Sequence, residues 1–213
     1  MADFIPAHQF VIQEEGGYQD LPTDTGNYVD GNLIGTNYGI SAPTLKSFLG
    51  RTPTKEEMQN LSFDDSVLIY IQNYWNKIYG DDYKNDSVAL LIYDGSVNQG
   101  RGAMRGIVGS CLRSIGVNIS DDNVFTKAGI REINKVNQEK LFNCVFEGRK
   151  NRYYRGQKQF MAGHLKRLSK IKFSKEKKKF PTWAIITISL GVASLLSLSI
   201  YSIVKNKYNN YGN

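Results

Sequence analysis

FIPAHQFVIQEEGGY, residues 4–18, predicts the first helix and the position at which it ends. Its apolar residues from Phe4 to Val11 recur at the three- and four-residue spacing of a helix, and Glu15 continues the same face. Gly16-Gly17 then forms a helix stop. The pattern predicts a helix whose last residue is Glu15.

A polar stretch, residues 18–37, follows this helix and is rich in Gly, Asp, Asn and Thr. That composition favours turns and short strands over a helix. Farther on, Thr54 and Ser62 each precede an acidic residue by three positions, which is typical of a helix start. The apolar positions after Ser62 keep helical spacing and predict one buried face, made by Val67, Ile71, Trp75 and Ile78.

Three further helices are predicted over residues 87–96, 103–115 and 127–154. The hydrophobic content of 41% and the charged content of 22% are those of a globular chain. The predicted fold class is therefore mainly α, of the α+β type, with one small polar β or turn region.

Glu15 is the first candidate for acid catalysis. At the end of a helix, the negative end of the helix dipole disfavours an ionised carboxylate, and partial burial against an aromatic residue such as Tyr18 would add to that effect. A carboxyl group kept protonated can protonate the departing sugar oxygen in glycosidic cleavage. Asp24 offers a second carboxylate for water or for positive charge on the sugar, and Thr36 offers a hydroxyl. Because many helices end in Glu and many turns contain Asp, spacing alone leaves a structural role open for each residue.

Three segments of this region resemble one enzyme family: residues 15–18, 20–26 and 36–41, which read EGGY, DLPTDTG and TNYGIS. They are similar to glycoside hydrolase family 108, whose members are N-acetylmuramidases with a lysozyme-like fold. The resemblance implies a lysozyme-like helical domain in which Glu15 is the catalytic residue. By looser similarity to phage-type lysozymes, it assigns the handling of water to Asp24 and Thr36. The neighbouring positions predicted to bind substrate are Tyr18, Asn37 and Tyr38.

A second set of segments resembles the C-terminal, peptidoglycan-binding part of the same family: residues 93–100, 112–117, 152–154 and 160–167. The resemblance then covers residues 4–170. It predicts a lysozyme-like catalytic region at residues 1–85 and a helical, peptidoglycan-binding-type region packed on it at residues 86–170. His164 lies in an apolar setting, where the family often has Trp, and is interpreted as structural.

The remaining residues predict a membrane anchor. Residues 180–204 contain no charged residue, and a helix of about 22 residues spans roughly 33 Å, the thickness of a bilayer core. We predict a basic juxtamembrane linker at 171–181, a transmembrane helix at 182–204 and a short polar tail at 205–213. Lysines are more frequent on the N-terminal side of the span, so the positive-inside rule leaves the soluble domain in the cytoplasm. Residues 1–10, MADFIPAHQF, contain no basic region followed by an apolar core, so we expect no secretory signal there.

Charge is distributed unevenly along the chain. Residues 1–147 carry 12 basic and 19 acidic residues, whereas residues 149–179 carry 13 basic residues and one acidic residue. A basic block beside an apolar stretch indicates a membrane surface before nucleic acid, and a solvated linker stays an open alternative. Cys111 and Cys144 lie among apolar neighbours and are interpreted as small buried residues, not as a disulfide framework. No set of residues has metal-ligand spacing, and no cofactor is implied.

These observations favour a peptidoglycan hydrolase that cleaves the β-1,4 bond between N-acetylmuramic acid and N-acetylglucosamine by general acid catalysis, in cell-wall lysis or remodelling. Its expected partners are glycan strands, the bilayer of the bacterial inner membrane through residues 182–204, and a holin or secretion factor that admits the domain to the wall. Three alternatives stay open: a non-catalytic, membrane-anchored peptidoglycan binder or lysis-accessory protein, a lytic transglycosylase, and, with least support, a nucleic-acid-binding protein.

Overall fold

Helix α1 spans Phe4–Glu15 in the computed structural model, which describes residues 1–156 and 158–175. The Asp3 side chain accepts a hydrogen bond from the Ile5 N–H and so caps the first turn. Gly16 has a φ of +80°, a conformation that ends the helix at little cost only for glycine. The predicted helix and its last residue are both confirmed.

The polar stretch after α1 folds into two small antiparallel hairpins. Strands β1 (Tyr28–Val29) and β2 (Asn32–Leu33) form the first, and β3 (Thr36–Asn37) and β4 (Ile40–Ser41) form the second. A bridge between Gln19 and Thr36 ties the chain after α1 to the second hairpin. This bridge brings the hairpin back towards the end of α1.

Three short helices follow the hairpins: α2 (Ala42–Leu49), α3 (Lys55–Gln59) and α4 (Phe63–Tyr70). Thr54 and Ser62 begin α3 and α4 with complete capping boxes, in which the side chain three residues on hydrogen bonds back to the cap. The two predicted helix starts are confirmed.

The chain continues from α4 as a π-helical turn at Ile71–Trp75 and a 3-10 turn at Asn76–Ile78. The predicted apolar face is buried along this whole run, and Trp75 is only 1% exposed. A Cβ built on Gly80 would come within 2.1 Å of the Trp75 ring, so only glycine permits the chain to pass there. Trp75 is therefore a core residue, as predicted.

The second half of the described chain consists of helices α5 (Asp86–Gly95), α6 (Arg101–Ser114), α7 (Lys127–Lys135), α8 (Gln138–Arg155) and α9 (Lys158–Lys170). Helix α5 is the buried centre, because it contacts both α1 and α8. Helices α6 and α9 pack on α8. The prediction of a mainly helical fold with a small polar β or turn region is confirmed, and that region consists of the two hairpins.

The prediction of one continuous helix over residues 127–154 is wrong. The chain leaves helical geometry at Val136, and Asn137 begins a new helix because its side chain accepts a hydrogen bond from the Lys140 N–H. A short polar side chain in that position stabilises the start of a new helix more than it stabilises an uninterrupted helix.

The interpretation of the two cysteines as separate buried residues is also wrong. Cys111 of α6 and Cys144 of α8 form a disulfide bond, with their Cα atoms 5.8 Å apart. The side-by-side packing of α6 and α8 brings together two residues that are 33 positions apart in sequence. Sequence spacing by itself does not reveal that packing.

The first residues of the predicted juxtamembrane linker are packed on the domain. Ile171 is 1% exposed, and the Ser174 N–H donates to the Ser87 hydroxyl at the start of α5. The rest of the linker, the predicted span at 182–204 and the predicted tail at 205–213 lie outside the described residues. Within residues 1–156 and 158–175, no helix combines the length and the apolar character needed to cross a membrane.

Candidate active site

Glu15 ends helix α1 beneath the turn of the second hairpin, with 21% of its side chain exposed. Gly39, in the β3–β4 turn, has a φ of +69°. A Cβ built on Gly39 would lie 2.8 Å from Glu15 Oε2 and 2.7 Å from the Tyr70 hydroxyl oxygen. The turn can therefore close over the carboxyl group only because residue 39 has no side chain.

Two tyrosines lie on the α4 side of Glu15. The Tyr70 hydroxyl donates to the Tyr38 carbonyl oxygen at 2.9 Å, and the Tyr70 and Tyr74 ring centroids are 5.3 Å apart. Burial, and then the charge of Glu15, raise the pKa of both tyrosines above the usual range. Both hydroxyls therefore keep their protons around the carboxyl group.

A guanidinium group from the last helix contacts the same carboxyl group. Arg167 Nη1 donates to Glu15 Oε1 at 2.6 Å, and Arg167 Nε donates to Asp94 Oδ1 at 2.7 Å. The other oxygen of Asp94 accepts from Arg149 Nη2 at 2.6 Å. Four charged side chains, which we name the buried charge array, thus run from α8 through α5 and α9 to the end of α1: Arg149, Asp94, Arg167 and Glu15.

The inner members of the buried charge array are inaccessible to solvent. Asp94 and Arg149 are 0% exposed and Arg167 is 6% exposed. Burial by itself lowers the pKa of Arg167, but the negative charges of Asp94 and Glu15 outweigh burial and raise that pKa. Arg149 also donates to the Leu91 carbonyl and to Gln99. Each buried charge of the array therefore has an opposite charge or a hydrogen-bond acceptor beside it. This pairing stabilises the buried charges and holds their side chains in one arrangement.

The surroundings of Glu15 differ from those predicted. The Tyr18 hydroxyl donates to the Ile34 carbonyl at 3.3 Å, and the Tyr18 ring packs against Gly35. The aromatic groups beside Glu15 are instead those of α4 and its following turn, and the nearest charge is the cation of Arg167.

Asp24 and Thr36 belong to one hydrogen-bonded network in the polar region. Asp24 is exposed, and its two oxygens accept from the Gly26 N–H at 2.9 Å and from Gln19 Nε2 at 3.1 Å. The Thr36 hydroxyl donates to Asn27 Oδ1 at 2.7 Å, and Asn27 also hydrogen bonds to Gln19. The structure therefore joins the two predicted residues through Gln19 and Asn27, which sequence reasoning did not single out.

The residues predicted to bind substrate occupy different environments. Asn37 is buried, and its amide donates to the carbonyls of Met58 and Gln59, so it anchors the hairpin to α3. Tyr38 is partly exposed at a φ of +50° in the turn that covers Glu15. Of the predicted set, Tyr38 is the residue that the turn geometry places next to the carboxyl group.

Sequence reasoning missed the inner members of the buried charge array, although signals for two of them are present. Arg149 continues an apolar stripe of α8 at four-residue spacing, between Val145 and Tyr153. Asp94 follows the apolar run of α5 directly. A charged residue on a buried, apolar helix face needs a buried partner of opposite charge. The sequence contains one cation and one anion in such positions, so it predicts that Arg149 and Asp94 pair.

His164, interpreted from sequence as structural, lies on α9 with its ring centroid 4.8 Å from that of Tyr153. Partial burial, followed by the charge of Arg167, lowers its pKa. No group of three or more His, Cys, Asp and Glu side chains in the described residues is placed to hold a metal ion.

Comparison with known proteins gives a match to a family model and a similar solved structure. Residues 8–100 match the family model of Glycosyl hydrolase 108. The solved structure of Brucella abortus SagA has 27% sequence identity to this chain and a TM-score of 0.63, over 81% of this chain and 95% of that one. None of the curated proteins matches the chain.

Proposed function

We propose that this chain, whose residues 8–100 belong to the glycosyl hydrolase 108 family, is a muramidase that cleaves the β-1,4 bond between N-acetylmuramic acid and N-acetylglucosamine. Membership of this family supports a glycoside hydrolase with peptidoglycan as its substrate class. The specific bond and the general acid mechanism are our inference from the site.

The observation that carries the proposal is the placement of Glu15. Its carboxyl group is partly exposed at the end of a helix, inside the family-matched region, and is covered by a turn that only glycine permits. As general acid, Glu15 would give its proton to the glycosidic oxygen as the bond to the anomeric carbon breaks, and the bonding electron pair would leave with that oxygen. Water then adds to the anomeric carbon, the proton that it loses returns to the site and restores the Glu15 acid, and a reducing muramic end remains.

The polar network supports a second role on the same hairpin region. Asp24 keeps an exposed carboxylate, held by two hydrogen bonds, and Thr36 is linked to it through Asn27 and Gln19. We propose that Asp24 and Thr36 handle the attacking water. The hydrogen bonds fix both side chains in position before substrate arrives, which is what an organised catalytic group requires.

Analysis of the products by mass spectrometry tests the proposed reaction. The full-length protein is incubated with purified peptidoglycan, and the released fragments are weighed before and after borohydride reduction. Reducible muramic ends are expected. Anhydro-sugar ends would instead identify a lytic transglycosylase. Glycan binding without new ends would identify a non-catalytic wall-binding or lysis-accessory protein.

The disulfide bears on where the enzyme works. Disulfides persist in oxidising compartments such as the periplasm and are rare in the bacterial cytoplasm, whereas the lysine distribution predicts a cytoplasmic domain. We propose that residues 182–204 anchor the protein in the inner membrane, and that the mature domain reaches the wall side, where Cys111 and Cys144 pair. A holin or secretion factor would supply that transfer. Alkylation of the two thiols in intact cells before lysis would contradict wall-side maturation.

A further inference from the structure

The buried charge array joins the two halves of the described chain at the proposed catalytic residue. Glu15 lies inside the region that matches the family model, residues 8–100, whereas Arg167 lies far beyond it on α9. The contact between them is a hydrogen-bonded ion pair of 2.6 Å. The environment of the proposed acid is therefore completed by a helix outside the matched region.

Arg167 is held in place independently of Glu15. Its Nε donates to Asp94, and Asp94 is in turn fixed by Arg149, with both residues fully buried. A guanidinium anchored through Nε presents its other nitrogens in a fixed direction, because the group is planar. The anchoring thus sets the position at which Arg167 meets the carboxyl group.

One donor of this guanidinium is unused in the protein. Arg167 Nη2 is buried and has no hydrogen-bond partner among residues 1–156 and 158–175. A buried donor left without a partner is unfavourable, and such groups commonly belong to functional sites. The unused donor belongs to the same guanidinium that contacts Glu15, so the unfavourable burial coincides with the proposed acid.

We propose that Arg167 is a positioning residue for Glu15, so that α9 of the peptidoglycan-binding-type region is part of the catalytic machinery. This inference rests on the proposed function. When Glu15 gives its proton to the glycosidic oxygen, the carbon–oxygen bond breaks and the carboxyl group becomes a carboxylate. Arg167 holds the oxygens in the orientation needed for that transfer and stabilises the negative charge that it leaves.

The same ion pair could serve the opposite purpose, as an autoinhibitory latch. Lys170 of α9 also pairs with Glu14, so two cations of one helix hold the end of α1. A latch predicts that loss of Arg167 raises activity at every pH. The internal anchoring of Arg167 by Asp94 favours positioning, because a releasable latch has no use for a second, fully buried carboxylate behind it.

The effect of Arg167 on pH dependence must be separated from that of its neighbours. The groups whose charges interact with Glu15 are Tyr70, Tyr74, Tyr93, His164 and Arg167. The three tyrosines have raised pKa values and His164 has a lowered one, so all four are neutral between pH 7 and 9. Removal of Arg167 therefore removes the one cation in that group over this range.

The test is the pH profile of peptidoglycan hydrolysis by the full-length protein and its Arg167→Gln variant. We expect the maximal kcat to fall about 10- to 100-fold, because the carboxyl group is no longer held in place. The fall should appear at every pH between 7 and 9, and KM should change much less than kcat, because Arg167 acts on the orientation of Glu15. Arg167→Lys keeps the charge without the planar fork, so its kcat should lie between those of the wild type and Arg167→Gln.

Two further variants keep the test decisive. Lys170→Gln removes the neighbouring ion pair of the same helix and should leave both kcat and KM unchanged. Arg167→Met also removes the charge but fills a similar volume and leaves Asp94 paired with Arg149, so it should show the same fall in kcat and replaces Arg167→Gln if that variant folds poorly. An unchanged profile, or higher activity at all pH values, would overturn the inference. An inactive wild-type protein would remove the proposed function and this inference with it.

Discussion

His8 makes the stability of this domain depend on pH. Its ring is fully buried, stacked on Phe4 at 4.9 Å, with the hydroxyls of Tyr93 and Ser66 at 3.2 and 3.4 Å. Burial lowers the pKa of His8 from 6.5 to about 3. The neutral ring belongs to the folded state, whereas the unfolded chain binds a proton below pH 6.5.

The sign and size of the effect follow from these two pKa values. Between pH 6.5 and about 3 the unfolded state binds more protons, so the free energy of unfolding falls as pH falls through that window. The loss approaches about 1.4 kcal/mol per pH unit, or roughly 2 kcal/mol at pH 5 relative to pH 8. Acidification should therefore weaken the fold well above the usual titration range of carboxyl groups.

Urea unfolding from pH 8 to pH 4.5, followed by tryptophan fluorescence, measures this dependence. His8→Gln replaces the titrating ring with a neutral hydrogen-bonding side chain, so the variant should be less stable at pH 8 but should lose much less stability on acidification. His164→Gln is the control, since that ring is only partly buried. Parallel pH curves for the wild type and His8→Gln would refute the assignment of the pH dependence to His8.

Two further predictions concern the turn over Glu15 and the disulfide. Gly39→Ala should lower kcat about 100-fold, because the new Cβ displaces Glu15 and Tyr70. Gly31→Ala is the control, because Gly31 has a similar positive φ but no atom lies within 4 Å of the new Cβ. This variant should lower the free energy of unfolding by about 1 kcal/mol and leave kcat unchanged. Equal losses of kcat in the two variants would contradict the explanation. Reduction of the Cys111–Cys144 disulfide, or replacement of both residues by Ser, should lower the free energy of unfolding. The expected loss is about 3.7 kcal/mol, because the bond closes a loop of 33 residues in the unfolded chain. An unchanged urea midpoint under reductant would contradict this prediction.

Local signals predicted the first half of the fold well. Three features set these helix boundaries: the apolar spacing before Glu15, the glycine stop and the two capping boxes. Each depends only on residues within about one helical turn, so the boundaries can be predicted from sequence. The division between α7 and α8 has an equally local cause in Asn137, but apolar spacing on both sides of it conceals the break. A helix boundary can be predicted from sequence when the capping residue and the apolar spacing indicate the same position.

The support of the candidate site could not be read in the same way. Arg167 contacts Glu15 across 152 positions, and Cys111 meets Cys144 only because α6 packs beside α8. The basic block of residues 149–179 was interpreted as a membrane-facing or solvated segment, yet Arg149 and Arg167 are buried within the domain. These contacts depend on how helices pack, which charge counts along the chain do not encode.

The proposed reaction depends on Glu15 as its catalytic acid. Glu14 is a matched control, because it is the adjacent carboxylate of the same helix and pairs with Lys170, also of α9. The decisive measurement is the rate at which reducing ends appear in peptidoglycan treated with wild-type protein, Glu15→Gln and Glu14→Gln, each shown by circular dichroism to be folded. We predict activity for the wild type and Glu14→Gln and a loss of at least about 1,000-fold for Glu15→Gln. A folded Glu15→Gln protein that releases reducing ends at the wild-type rate would contradict the claim.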